Sequence, residues 1–279
     1  MSPEGKLQEI RRILVALDAS PASLAALDLA AELAGRYQAE LMGVYVEDIN
    51  LLRSADIPLV KEIGYYSASS RKIDSPNLER QLRAQARRVE QILASVAKKA
   101  NLRWSFRSTR GLIHGELITA AEDTDLIILG KTGWSGRRQM GSTAREVAVQ
   151  APIQSLILLH KVRPGTPVMV AYDGSSASLR ALEAARLIRD QEIPLYVLLL
   201  AETKEGADRL KVEVENILTD EKYLVEFRWA ANIKGNRVSQ MAMISGCDVV
   251  VLPAASDSFD PEALLSMLNE ADCAVLLVR

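Results

Sequence analysis

Short apolar runs alternate with longer amphipathic segments along the chain. Runs bounded by glycine or polar residues are typical of buried parallel strands. In the first part of the sequence such runs occupy residues 13–20, 40–47, 103–109, 126–130 and 155–160. Apolar positions at helical spacing occupy residues 21–38, 77–100, 115–123 and 142–151, and residues 49–75 read as a long loop with room for one short helix. The alternation predicts an α/β fold with a parallel sheet.

The pattern then begins again, which indicates an internal repeat. VALDASPASLAAL at 15–27 matches VAYDGSSASLRAL at 170–182, and DTDLIILG at 123–130 matches GCDVVVLP at 246–253. A turn-rich stretch at 162–167 separates the copies. The repeat predicts two domains, residues 1–162 and a shorter copy at 163–279.

A glycine-rich loop at residues 130–141 follows the apolar run 126–130. It contains Gly130, Gly133, Gly136 and Gly141, together with Arg137 and Arg138, and it precedes the helical segment that starts with Ser142 and Thr143. Glycines let a backbone approach a ligand, and a helix start presents unpaired N–H groups to a phosphate. The alternative is an ordinary surface turn capped by Ser142 or Thr143. A P-loop is disfavoured, because that motif needs a glycine where the chain has Asp125.

Asp18 is the second candidate, because it ends the first predicted strand before a helix with Ser20 as N-cap and Pro21 at its first position. Ligands of open parallel sheets bind beyond the carboxyl ends of the strands, where the strand order reverses. If the first and fourth strands are neighbours, Asp18 and the glycine-rich loop border one crevice. The alternative is a turn aspartate that caps the following helix.

Composition restricts the function classes. The chain has 279 residues, 48% hydrophobic and 25% charged, with a net charge of −2. This balance gives no reason to expect nucleic-acid or membrane binding, and the N-terminus lacks an apolar signal core, so we expect a cytoplasmic protein. The two cysteines, Cys247 and Cys273, are expected to be small buried residues rather than a disulfide.

Little in the sequence points to catalysis. His114, in a predicted loop, and His160, at a strand end, have no metal-ligand partners at a recognisable spacing, so we expect no metal site. No general base accompanies the glycine-rich loop, and we therefore name no catalytic residue and expect any hydrolysis to be slow. The corresponding loop of the second copy has no glycine and contains Pro253, Asp257 and Asp260, and its carboxylates would repel phosphates.

These residues resemble the universal stress protein family in its tandem form. The resemblance rests on the ALDAS start, the order of elements, and Gly130-x-x-Gly133 followed by Gly141-Ser142. In ATP-binding members nine residues separate the second glycine from G-S or G-T, whereas seven separate Gly133 from Gly141 here. The resemblance implies a flavodoxin-like or Rossmann-like fold, with five parallel strands per domain in the order 3-2-1-4-5.

The resemblance also implies a ligand and an assembly. The ligand would be ATP or another adenine nucleotide, with or without Mg²⁺. The residues that would hold it are Ala16, Leu17 and Asp18 near adenine and ribose, Val46 on adenine, Leu129 and Gly130 beneath, and Gly133, Gly141, Ser142 and Thr143 at the phosphates. Pairing of the last strands, 155–160 and 274–278, would form an intramolecular pseudo-dimer, and a homodimer stays open.

Two functions remain at this stage. One is a stress-related regulatory protein that binds an adenine nucleotide in its first domain, with a partner that recognises the nucleotide-bound state. The other is a stress-related scaffold that binds no nucleotide. The glycines favour the first, whereas the shortened loop and the degenerate second copy favour the second.

Overall fold

The computed structural model describes residues 10–55, 57, 61–63, 70–72, 75–132, 140–151, 155–159, 166–190, 192–218, 224–229, 231, 236–254, 258–259 and 261–279. The strands of the first half are β1 (Arg12–Ala16), β2 (Glu40–Asp48), β3 (Lys61–Ile63), β4 (Ser70–Lys72), β5 (Trp104–Gly111), β6 (Leu126–Gly130) and β7 (Ser155–Leu159). Those of the second half are β8 (Val168–Tyr172), β9 (Leu195–Leu199), β10 (Val225–Trp229), β11 (Val249–Pro253) and β12 (Ala274–Val278).

Helices connect these strands. The first half contains α1 (Pro21–Tyr37), α2 (Ile49–Ala55), α3 (Ser75–Lys99), α4 (Ile113–Ala121) and α5 (Ser142–Gln150). The second half contains α6 (Ser176–Ile188), α7 (Lys204–Ile217), α8 (Asn236–Ile244) and α9 (Pro261–Glu270). The predicted α/β class is confirmed.

Ten of the described strands form one continuous sheet in the order β10-β9-β8-β11-β12-β7-β6-β1-β2-β5. Within each half the strands are parallel and follow the order 3-2-1-4-5, as predicted. The halves meet where β12 pairs antiparallel with β7. The order of the strands is therefore the same when counted from either edge of the sheet. Two copies related by an approximate two-fold axis give this arrangement.

The β7–β12 pair is the seam of the sheet. Leu276 pairs with Ile157, and Leu277 pairs with Leu156. All five residues of β12 are buried, with at most 3% of their surface exposed. The prediction that the two last strands pair within one chain is confirmed, and each strand removes the other's open edge.

Two apolar layers cover the sheet, one on each face. Successive strand residues alternate between them, so Ile13 and Val15 lie in one layer and Leu14 lies in the other. Helices α1, α3, α6 and α7 cover the first face, and α4, α5, α8 and α9 cover the second. Both layers contain residues of both halves, so the core is continuous across the seam.

The turn after β1 is fixed by three hydroxyl and carboxylate contacts. The Ser20 N–H donates to Asp18 Oδ1 at 2.8 Å, and the Ser23 N–H donates to Ser20 Oγ at 3.2 Å. The Ser23 hydroxyl donates to the Ser20 carbonyl at 3.1 Å. Ser20 is therefore the N-cap of α1, with Pro21 next, as predicted. Ala19 turns the chain with a φ of 61°, so β1 ends at Ala16 and not at residue 20.

The second half repeats this turn bond for bond. The Ser175 N–H donates to Asp173 Oδ1 at 3.0 Å, and the Ser178 N–H donates to Ser175 Oγ at 3.1 Å. The Ser178 hydroxyl donates to the Ser175 carbonyl. Gly174 takes the left-handed conformation, with a φ of 82°. The sequence repeat thus corresponds to a repeated local structure.

Some local predictions were wrong. The stretch 49–75 contains α2, which is the one short helix that the sequence allowed for, but it also contains the antiparallel pair β3–β4. These two strands were not predicted, because they are too short to give a readable hydrophobic period. The fourth helix of the first half begins at Ile113 rather than at residue 115, so His114 lies on a helix and not in a loop. The predicted boundary at residues 162 and 163 lies outside the described residues and stays a prediction.

Replacing Ile157 by proline should destabilise the protein, because proline removes an N–H from the middle of the sheet. A buried carbonyl left without its donor costs about 1–3 kcal/mol. We expect a lower melting temperature for Ile157→Pro, whereas Ile157→Val, which keeps the N–H, should change it little. An unchanged melting temperature in the proline variant would contradict the pairing of β7 within the sheet.

Candidate functional site

A cavity of about 360 Å³ lies beyond the carboxyl ends of β1 and β6. These strands are neighbours, with Ile13 opposite Leu126 and Val15 opposite Ile128. The strand order reverses here, which is where open α/β sheets bind ligands. The volume falls within the range of about 300–1,000 Å³ that is typical of small-molecule sites.

One wall of the cavity is apolar. It is formed by the ends of three neighbouring strands and by one face of α4: Ala16, Leu17, Val44, Val46, Leu129, Ile113 and Leu117. Such a surface suits a flat, weakly polar ring system.

The start of α5 forms the polar end. Gly141, Ser142, Thr143 and Ala144 all line the cavity. Gly141 is the N-cap and makes no side-chain capping bond, so neither Ser142 nor Thr143 caps the helix. The first N–H groups of a helix have no acceptor within it, and they carry the positive end of its dipole. This end is therefore suited to an anion.

Asp18 lines the cavity and is held by α3. The Gln85 side-chain amide donates to the Asp18 carbonyl at 2.7 Å, and Gln85 Oε1 accepts from the Tyr45 hydroxyl at 3.4 Å. Burial, together with the charges of Glu47 and Asp18, raises the pKa of Tyr45 to about 12, so the phenol stays protonated as a donor. Asp18 both orders its turn and lines the cavity. Its two predicted roles, a turn aspartate and a cavity residue, are therefore compatible.

Gly130 is required by packing. A Cβ at this position would lie 2.9 Å from Ala22 Cβ and 3.0 Å from the Ala22 carbonyl carbon. The first turn of α1 therefore packs directly on the end of β6. Gly130 therefore admits the close approach of the helix, and it also lines the cavity, so the packing is compatible with its predicted place beneath a ligand.

Lys131 is a buried cation next to the cavity, with 3% of its surface exposed. Its ammonium donates to the carbonyl of Ala271, at the end of α9 in the second half. Burial lowers the pKa of Lys131, and the charge of Asp272 partly opposes this effect. Among the described residues that line the cavity it is the one cation, and it is bound to the protein itself.

The structure brings most of the predicted residues together. Nine of the ten line the cavity: Ala16, Leu17, Asp18, Val46, Leu129, Gly130, Gly141, Ser142 and Thr143. The tenth, Gly133, lies outside the described residues, as do Gly136, Arg137 and Arg138.

Other lining residues were missed. They are Ser20, Ser23, Val44, Ile113, Leu117, Lys131, Thr132 and Ala144. Val44 could have been found, since it lies two residues from Val46 and alternate strand residues share a face. Ile113 and Leu117 are four apart on a helix and therefore also share a face.

The corresponding position of the second half is differently arranged. Asp173 Oδ2 accepts a hydrogen bond from the Ser258 hydroxyl at 2.9 Å, so a residue that follows β11 contacts this aspartate directly. Pro253 ends β11 and is buried. Asp257 and Asp260 lie outside the described residues.

Both cysteines are buried and free, as predicted. Burial raises the pKa of Cys247 to about 12 and that of Cys273 to about 11, which keeps both thiols protonated and unreactive. Within the described ranges, no cluster of three or more His, Cys, Asp or Glu could hold a metal ion. No helix in that part of the chain is long and apolar enough to cross a membrane.

A match to a known protein family shows which proteins this chain is related to. Residues 9–158 match the model of the Universal stress protein family. The chain belongs to this family. Among curated proteins, no relative matches the sequence.

Solved universal stress proteins share the fold over nearly the whole chain. A universal stress protein from Archaeoglobus fulgidus is 14% identical, with a TM-score of 0.71 over 96% of this chain and 98% of that one. A putative universal stress protein from Pseudomonas aeruginosa is 15% identical, with a TM-score of 0.63 over 98% and 94% of the two chains. A universal stress protein in complex with cAMP is 19% identical and covers 55% of this chain and 98% of its own, but its TM-score is 0.37.

Replacing Gly130 by alanine should destabilise the protein, because the Ala22 backbone cannot move aside easily. Overpacking of this kind costs about 1–3 kcal/mol. The matched control is Gly115→Ala in α4, where the nearest atom to a new Cβ lies 3.9 Å away; it should stabilise by about 0.5–1 kcal/mol. Chemical denaturation measures both, and a Gly130→Ala variant as stable as wild type would refute the close packing.

Proposed function

We propose that this universal stress protein is a regulatory protein that binds an adenine nucleotide in the cavity of its first half. The observation that carries the proposal is the cavity itself, which combines an apolar wall with the start of α5, where the N-cap is Gly141 and makes no side-chain capping bond. The base would pack on Val46 and Leu129, the ribose would face Asp18, and the phosphates would face Gly141, Ser142 and Thr143.

The chemistry of the lining residues fits such a ligand. Small-molecule sites are mostly apolar with a few well-placed polar groups. Backbone N–H groups at a helix start bind phosphate without a dedicated cation. That property matters here, because the ammonium of Lys131 is already bonded to Ala271.

We propose that the second half binds no nucleotide. Its aspartate is bonded to Ser258, and its loop has no glycine to let the backbone approach a phosphate. Losing several backbone contacts at about 1 kcal/mol each weakens binding by a hundredfold or more.

A scaffold without nucleotide is the second candidate, and the bond from Lys131 to Ala271 favours it. A buried ammonium that already donates to a carbonyl of the protein has fewer N–H groups left for an anion. The two candidates differ in one property, which is whether the cavity takes up a nucleotide at all.

Calorimetric titration with ATP, ADP and AMP tests the proposal. Wild-type protein should bind at least one of them, and Gly141→Val should abolish binding, because a branched side chain at the N-cap would enter the space before the first amides of α5. Val149→Ala is the matched control, since Val149 is 54% exposed near the other end of the same helix; it should bind like wild type. If none of the three nucleotides gives a heat of binding, the proposal fails and the scaffold function is the one that remains.

A further inference from the structure

The two ends of the glycine-rich loop meet at a neck formed by Lys131, Met140 and Gly141. The Gly141 N–H donates to the Lys131 carbonyl at 2.9 Å, which closes the neck. Met140 is 7% exposed, so both Lys131 and Met140 are buried at this point. The neck leads directly into the first turn of α5, which lines the cavity.

Both sides of the neck are bonded to the second half. Asn269, in the last turn of α9, accepts a hydrogen bond from the Met140 N–H on its Oδ1 at 3.0 Å. The carbonyl of Ala271, just past the end of α9, accepts from the Lys131 ammonium. A cation is favourable there, because the C-terminus of a helix carries a partial negative charge.

The opposite end of α5 is also held by the second half. The guanidinium of Arg279, the residue after β12, donates to the carbonyls of Ala148, Val149 and Ala151. These are the carbonyls at the C-terminus of α5, which lack partners within the helix. Each half thus places a cation on the last helix of the other: Lys131 on α9 and Arg279 on α5.

We propose that the second half positions the nucleotide site of the first, with Asn269 as the positioning residue for the neck and the start of α5. The inference rests on the proposed function and goes beyond it: the half without a glycine-rich loop sets the affinity of the other half for phosphate. Asn269 is not among the described residues that line the cavity. It fixes Met140, and Met140 precedes the N-cap whose following amides face the phosphates.

The test compares ATP with adenosine, titrated calorimetrically into the full chain. Adenosine lacks phosphates, so its affinity depends on the apolar wall and not on the start of α5. For Asn269→Ala we expect the Kd for ATP to rise about tenfold, equivalent to about 1.4 kcal/mol, with the Kd for adenosine unchanged. A merely structural loss would weaken both ligands together.

Ser266→Ala is the matched control. Ser266 is on the same helix, is exposed and donates to Glu270; its variant should bind both ligands like wild type. Amide hydrogen exchange gives a second readout without any ligand. In Asn269→Ala the Met140 amide should exchange faster, while the amides of β6 stay protected.

Lys131→Met separates this inference from direct binding of phosphate by the ammonium. Weaker ATP binding in both Lys131→Met and Asn269→Ala, with adenosine unaffected, supports the positioning role. Weaker ATP binding in Lys131→Met alone overturns it, as does unchanged exchange at Met140 in Asn269→Ala. Wild-type protein that binds neither ligand overturns the proposed function and this inference with it.

Discussion

The antiparallel pairing of β7 with β12 is the constraint on which the rest of the structure depends. It joins two parallel five-stranded halves into one sheet and pairs both last strands, each of which would otherwise expose an edge. It also brings the end of β6 beside α9 and the end of β12 beside α5. The bonds from Lys131 to Ala271 and from Arg279 to the end of α5 both follow from this placement.

The two halves are alike in local structure and different at their loops. The turns at Asp18 and Asp173 share the same hydrogen bonds, so the duplicated sequence still specifies a duplicated strand-to-helix connection. The two halves differ just past their fourth strands, before the last helix of each. In the first half the start of α5, with Gly141 as its N-cap, lines a cavity, whereas in the second half the Ser258 hydroxyl donates a hydrogen bond to Asp173.

Much of the fold could be predicted because its signals are local. The apolar run at 274–278 and the Ser20-Pro21 helix start each depend on neighbouring residues only, and the repeat fixed which strands correspond. The contacts that the sequence could not reveal join residues far apart in the chain. Gly130 packs on Ala22, and Lys131 bonds to Ala271, 140 positions later. No periodicity encodes such pairs, because they arise only when the sheet brings distant segments together.

The central claim is that one adenine nucleotide binds per chain, in the first half. Equilibrium dialysis of the full chain with labelled ATP tests it most directly, because it counts sites regardless of the heat of binding. The account predicts saturation at one nucleotide per chain. Saturation at two equivalent sites, or no uptake at all, would contradict it.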